Sequence, residues 1–197
     1  MPDKPDNPSL PSALRQIALT LRITGWIGFW VQIVLAVVSS LIFLFAVPFA
    51  RTPANANPAA NNPGTGGSIF FAVCALFLLY FSVYQSFRYT RIARQLQDSN
   101  PNLRPKKSDT IKKLRLGLTV SLVGMLLAVL GAEAITGSLL AKSLAQPQGA
   151  TIYDPQFINR IIQPLDIFVV LANTHTISAH FAGIFLGIWL LNRLNQQ

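Results

Sequence analysis

Little in this sequence belongs to soluble-enzyme chemistry. Cys74 is the single cysteine among 197 residues. No disulfide can therefore form within the chain, and no cysteine cluster can hold a metal. Cys74 lies in an apolar run and reads as a small packing residue. There is no Gly-rich phosphate loop of the Walker type, no CxxC and no HExxH. ATP-driven pumping by this chain alone is thereby removed, along with the common redox and zinc motifs. No local motif supports a Ser–His nucleophile pair. The chain is not expected to be an enzyme. Acidic residues are also scarce, seven against sixteen lysines and arginines, for a net charge of +9. In a soluble protein that balance would suggest nucleic acid. Here most basic residues flank long apolar runs, where positive-inside bias and anionic headgroups explain them, so no nucleic acid is expected as a partner.

The N-terminal residues lack the marks of a targeting segment. Residues 1–22 hold four prolines and two aspartates. They resemble neither a cleavable signal nor an Arg- and Ser-rich, acid-poor transit peptide. The expectation is a bacterial chain, or one already mature. Residues 1–8 are polar and proline-rich and are expected to be disordered. From Ser12, which can cap a helix, Leu14, Ile17 and Leu21 recur at helical spacing between Arg15 and Arg22. This stretch reads either as a short amphipathic helix on the inner interface or as the inner end of the first span.

What the chain has in abundance is apolar sequence. Four stretches, about 23–47, 68–87, 116–141 and 167–191, are each long enough to cross a bilayer, whose hydrocarbon core needs about 20 residues of helix. The fold class is all-α: one polytopic membrane domain over 23–191 with four transmembrane helices and a short tail, 192–197. The segment 88–115 holds nine basic residues, whereas 48–67 holds only Arg51 and 142–165 only Lys142 and Arg160. The middle loop is therefore expected on the cytoplasmic or stromal side, with both termini. Trp26 and Trp30 suit an inner aromatic belt. The low-complexity loop 48–67 is expected to be flexible and external. Asp154-Pro155 opens a short helix over 155–163, with Phe157, Ile158, Ile161 and Ile162 on its apolar face.

Three patterns carry functional meaning. Arg88, Arg91 and Arg94 recur every three residues where the second span leaves the membrane, with Lys106 and Lys107 further on. They are candidates for binding anionic lipid headgroups or an acidic partner. Gly117, Gly124 and Gly131 lie seven apart on the third span, and Ala179, Gly183 and Gly187 four apart on the fourth. Such small-residue faces let membrane helices approach closely, within one chain or between copies. A homo-oligomer or a place in a larger membrane complex is expected.

The third pattern is ionisable residues inside the membrane. Glu133, His175 and His180 need explaining, because such groups are costly there and usually functional or paired. At 1.5 Å per residue, Glu133 and His175 both lie about 12 Å below the outer end of their spans, and His180 about 7 Å deeper. A Glu133–His175 pair is the plainest expectation. Asn173 and Thr176 lie on the His180 side. Two histidines five apart point about 140° away from each other on a helix and chelate poorly alone. Glu133 and His175 with a third ligand would suit iron, manganese or zinc. The alternatives are a structural pair, an ion path with Asp166 at its outer mouth, or a histidine ligand to a pigment or haem.

The chain resembles a known group at this point. The four spans, Phe87-Arg88-Tyr89-Thr90-Arg91-Ile92-Ala93, the Lys/Arg middle loop and Asn173-Thr174-His175-Thr176-Ile177-Ser178-Ala179-His180-Phe181 look like the cyanobacterial and plastid four-helix family. Its plant member is the small inner-envelope translocon subunit, also called permease in chloroplasts. The resemblance runs from about Leu14 to Leu194. It implies either iron permeation or service as a non-catalytic subunit of a protein-import apparatus. It also implies a home in a cyanobacterial plasma or thylakoid membrane. No catalytic motif carries over from the family. The cation reading is preferred, with iron as transported ion rather than resident cofactor, because the resemblance and the intramembrane residues point the same way.

Overall fold

The computed structural model of the protein describes residues 12–50, 63–98, 104–144, 162 and 164–196. Nearly all of them lie in four α-helices: α1 Ser12–Ala50, α2 Pro63–Leu96, α3 Lys107–Leu144 and α4 Pro164–Asn195. The described residues contain no strand. Each helix includes a stretch long and apolar enough to cross a membrane. Pro63 and Pro164 open α2 and α4, where the missing N–H is not needed. Asp109 and Asp166 sit in first turns, while Arg94, Lys142 and Arg193 sit in last turns. Each charge suits the helix dipole at its end.

The helices outrun the apolar stretches. At 32 to 39 residues they are about 48–58 Å long, against about 30 Å of hydrocarbon. Most of the basic segment 88–115 is therefore helical: α2 runs on through Leu96 and α3 begins at Lys107. Hydropathy falls at the first charges, but Arg, Lys, Gln and Leu are all good helix formers. Within the intervening connection, Arg104 Nε donates to the Asp98 carbonyl at 3.0 Å. At the other end of the chain's first helix, residues 12–22 are continuous with the span. Ala18 and Leu21 are fully buried against Tyr89, Ile92, Leu114 and Leu190. This stretch is thus the packed end of α1 rather than a separate helix on the interface. The loop expected over 51–62 lies outside the described residues, as does the helix expected over 155–163 apart from Ile162.

Each helix packs on its neighbours in sequence, α4 closes on α1, and α2 meets α4 across the diagonal. The buried clusters show an antiparallel order. At one end Ala18 and Leu21 of α1 meet Tyr89–Leu96 of α2. Halfway, Ala36 meets Leu79 and Ala179. At the far end Phe43 meets Ala72 and Ala172. Rising numbers on α1 pair with falling numbers on α2. The first of these ends carries the Lys/Arg cluster and is called the basic end below.

The seam of this bundle is small and polar, and its outside is apolar. On α3 the buried positions are Thr110, Leu114, Gly117, Ser121, Gly124, Ala128, Gly131 and Ile135. They alternate steps of four and three, the seven-residue period of left-handed helix packing. Trp30, Leu44, Phe45, Phe77 and Phe185, by contrast, are each more than half exposed. That inversion suits lipid as the outer solvent, where association rests on close packing and hydrogen bonds.

Candidate intramembrane site

Buried polar side chains form layers along the seam. On the basic-end side of the midpoint, Gln32 of α1 and its partners join all four helices. Its Nε2 donates to Ser82 Oγ at 2.9 Å and to the Ala179 carbonyl at 3.2 Å. Its Oε1 accepts from Ser86 Oγ at 2.9 Å. Ser82 Oγ also bonds Ser121 Oγ of α3 at 2.9 Å. Gly183 faces this cluster: a Cβ there would strike Gln32 Nε2 and Ser121 Oγ. Beside it lies a void of about 10 Å³ whose lining includes Thr24, Ser82, Ser86, Tyr89 and Ser121. That is the least space a single water requires.

His180 forms the next layer. The side chain is fully buried, and its Nε2 lies 3.1 Å from the Ala75 carbonyl of α2. A carbonyl only accepts, so Nε2 carries the proton and Nδ1 the lone pair. The ring lies directly over Gly124, where any Cβ would overlap it. Beyond it, Asn173 Nδ2 donates to the Ala128 carbonyl at 2.9 Å, and Ser39 Oγ donates to the Ala172 carbonyl at 2.9 Å. Thr176 turns back to its own helix, donating to the Ala172 carbonyl. Among the described residues, four buried atoms find no partner: Gln85 Nε2, Asn173 Oδ1, His175 Nδ1 and His180 Nδ1.

The structure does not form the expected Glu133–His175 pair. Among the described residues Glu133 makes no hydrogen bond or ion pair, and its side chain is exposed. His175 is half-buried, with Nδ1 unpartnered. Nor are the two level: Gly131 faces Asn173 and Gly124 faces His180, which sets His175 about one turn nearer the basic end than Glu133. Glu133 lies two residues beyond Gly131, which turns it about 200° away from the buried seam of α3. No group of three or more His, Cys, Asp and Glu assembles among the described residues, so the proposed Glu133 and His175 metal ligands do not converge within one chain. Asp166 is also engaged: Lys142 Nζ donates to both its oxygens, at 2.9 and 3.0 Å. An axial-ligand role for His180 would require the ring to leave both Gly124 and Ala75.

The remaining candidates fall in two places. The small residues receive side chains inside the bundle. Gly117 faces the Tyr89 hydroxyl, Gly131 lies against the α2 backbone at Ala72, Gly187 packs on Leu118, and Ala179 lends its carbonyl to Gln32. The basic residues stay at the bundle end. Arg88 stacks over Tyr84 at 5.8 Å and Arg91 over Phe87 at 5.4 Å. Arg94, Lys106 and Lys107 are exposed. Sequence reasoning missed Gln32, Ser39, Ser82, Ser86 and Ser121. Two signals were present: a lone amide in an otherwise apolar run, and Ser121 within the Gly117–Gly124 register.

Comparison with known proteins follows the same outline. No solved structure matches the chain. It is 33% identical over 201 residues to "Protein TIC 21, chloroplastic" of Arabidopsis thaliana, an alignment that covers 94% of this chain and 62% of that protein. The chain thus spans less than two thirds of the length of this relative. A family described as "Protein of unknown function (DUF3611)" matches residues 11–195. With that match running from the start of α1 to the end of α4, the chain belongs to this family.

Proposed function

We propose that the protein is a non-enzymatic subunit of a membrane transport assembly that passes a metal cation, iron being the first to test, along a path formed between subunits. The observation that carries this is the outward-facing Glu133. An ionisable group exposed at hydrocarbon depth costs several kcal/mol unless something pairs it, which marks a functional surface. Among the described residues a single bundle offers no such partner and no conduit, because its seam is filled by small residues. Copies brought together at α3 would set several Glu133 carboxylates around one axis, hard oxygen ligands suited to a cation. The family resemblance agrees with this function. It also agrees with residence in a cyanobacterial plasma or thylakoid membrane, the basic end on the cytoplasmic side.

One observation favours a second function. The sealed seam and the basic end with its exposed Arg94, Lys106 and Lys107 suit a non-catalytic subunit or assembly factor of a larger complex, such as a protein-import translocon. Iron uptake into proteoliposomes separates the two. Saturable uptake by the wild type that falls in correctly inserted Glu133→Gln supports the cation path. Uptake no greater than in empty liposomes, with the protein intact, supports the complex subunit.

A further inference from the structure

A separate polar groove opens at the basic end, between α1 and α4. Thr20 of α1 and Trp189, Asn192, Arg193 and Gln196 of α4 line about 200 Å³. Trp189 lies near the end of the apolar part of α4, and Arg193 follows one turn later, about 6 Å further out. Trp and Arg in this order match the glycerol and phosphate levels of a membrane interface. Below the groove, Ile23 and Ile27 of α1 and Phe185 and Ile188 of α4 are all exposed. They recur at three- and four-residue steps from the groove residues, so the cleft continues as an apolar stripe into the hydrocarbon.

Among the described residues of α1 and α4, the side-chain charge at this end has one sign. α1 contains no carboxylate, and that of α4, Asp166, lies at the opposite end beside Lys142. The same end carries Arg15, Arg22 and Arg193. Arg88 and Arg91 lean on aromatic rings of their own helix. Arg193 makes no hydrogen bond, ion pair or ring contact among the described residues. Its planar fork is therefore open to an anion, and a guanidinium binds phosphate or sulfonate oxygens in pairs. Asn192, Gln196 and Thr20 add neutral donors around it.

We propose that this groove is a binding site for one anionic membrane lipid. Its phosphate or sulfonate headgroup sits on Arg193, its glycerol lies at Trp189, and its chains run along Ile23, Ile27, Phe185 and Ile188. The site is independent of the transport path and can be tested without it. Native mass spectrometry of the full chain, released from phosphatidylcholine nanodiscs doped with phosphatidylglycerol, reads the occupancy directly. The wild type retains phosphatidylglycerol in preference to phosphatidylcholine. Arg193→Gln lowers that retention about fivefold, the effect of one interfacial cation. Arg193→Lys keeps most of it, and Lys112→Gln, at an exposed α3 position of the same end, leaves it unchanged. Unchanged retention in Arg193→Gln overturns the proposal. Equal loss in Lys112→Gln also overturns it, since the lipid would then sit on the α2–α3 basic surface. Displacement of the lipid by free glycerol phosphate would make the groove a soluble-phosphate site and overturn it as well. If Arg193→Gln fails to insert, Asn192→Leu carries the same test, with reduced retention expected.

Discussion

His180 and Glu133 are ionisable residues of neighbouring membrane-spanning helices, yet the structure treats them in opposite ways. His180 is fully enclosed, bonded to the Ala75 carbonyl and laid over Gly124. Glu133 is exposed, without a partner among the described residues. The difference shows how a lipid-embedded bundle admits polar groups. A glycine lets two backbones approach until a side chain can reach the carbonyl of a third helix, and the polar group then binds the bundle together. A group on the outer face has no such support from its own chain. His180 therefore belongs to the architecture, and Glu133 to whatever meets the protein from outside.

The sharpest way to break this comparison is to fill the space His180 uses. Gly124→Val pushes its side chain into the imidazole and forces the ring off Ala75. The expected loss is about 3 kcal/mol or more, at the upper end of overpacking costs. Gly137 lies on the outer face of the same helix, with open space where its Cβ would be. Gly137→Val is expected to stay within about 0.5 kcal/mol. Reversible unfolding in mixed micelles, followed by Trp fluorescence, compares the two. In a His180→Ala background the cost of Gly124→Ala should shrink, because the clash has gone. Equal costs of Gly124→Val and Gly137→Val would show that the seam is not where the structure puts it.

The next largest effect falls on the four-helix amide. Gln32→Leu keeps the volume but removes the partner of Ser86 and the donor to the Ala179 carbonyl, and leaves Ser82 with Ser121 alone. Interhelical hydrogen bonds in membranes are worth about 1–2 kcal/mol at most, and several are lost together, so about 2 kcal/mol is expected in the same assay. No loss would mean that these hydroxyls re-pair among themselves and that Gln32 is not the keystone of its layer.

How much of this was legible beforehand follows from what each signal measures. The bilayer sets a length, and charge falls outside it, so four spans and a basic end could be read directly. The α3 register was also visible, since Gly117, Gly124 and Gly131 mark the seam and Ser121 lies between them. The Glu133–His175 pair failed because depth was counted from the span ends and read without direction. The same glycine register already placed Glu133 on the far side of the helix. Gln32 escaped because its partners lie some 50 to 150 residues away, and no local pattern announces such a meeting. The helical extension into residues 107–115 escaped because hydropathy stops at charge whereas helix propensity does not.

A smaller effect is expected where both members of a pair touch solvent. Lys142 and Asp166 join α3 and α4 at 2.9 Å at the end opposite the basic end, with side chains 28% and 23% exposed. Lys142→Met should cost about 0.5 kcal/mol and lose most of that effect at high salt. A cost that survives high salt would mean the pair is shielded by protein, making Asp166 part of an enclosed mouth.

The smallest effect on stability belongs to Glu133→Gln, and that is its value. Since Glu133 contacts nothing that holds the bundle together, the neutral variant should unfold within about 0.5 kcal/mol of the wild type. Removing the charge should even ease insertion, because a carboxylate at this depth opposes it. Function should change instead: cation uptake falls, and so does any association of copies through the exposed face of α3. Crosslinking between copies in native membranes reads the association, and proteoliposomes read the uptake. Should Glu133→Gln unfold as readily as Gln32→Leu, Glu133 would be an internal structural group and the contrast with His180 would collapse. Should it be stable and fully active, its charge would serve neither transport nor assembly. Stability retained with activity lost is the result that places the working surface of this family on the outside of the bundle.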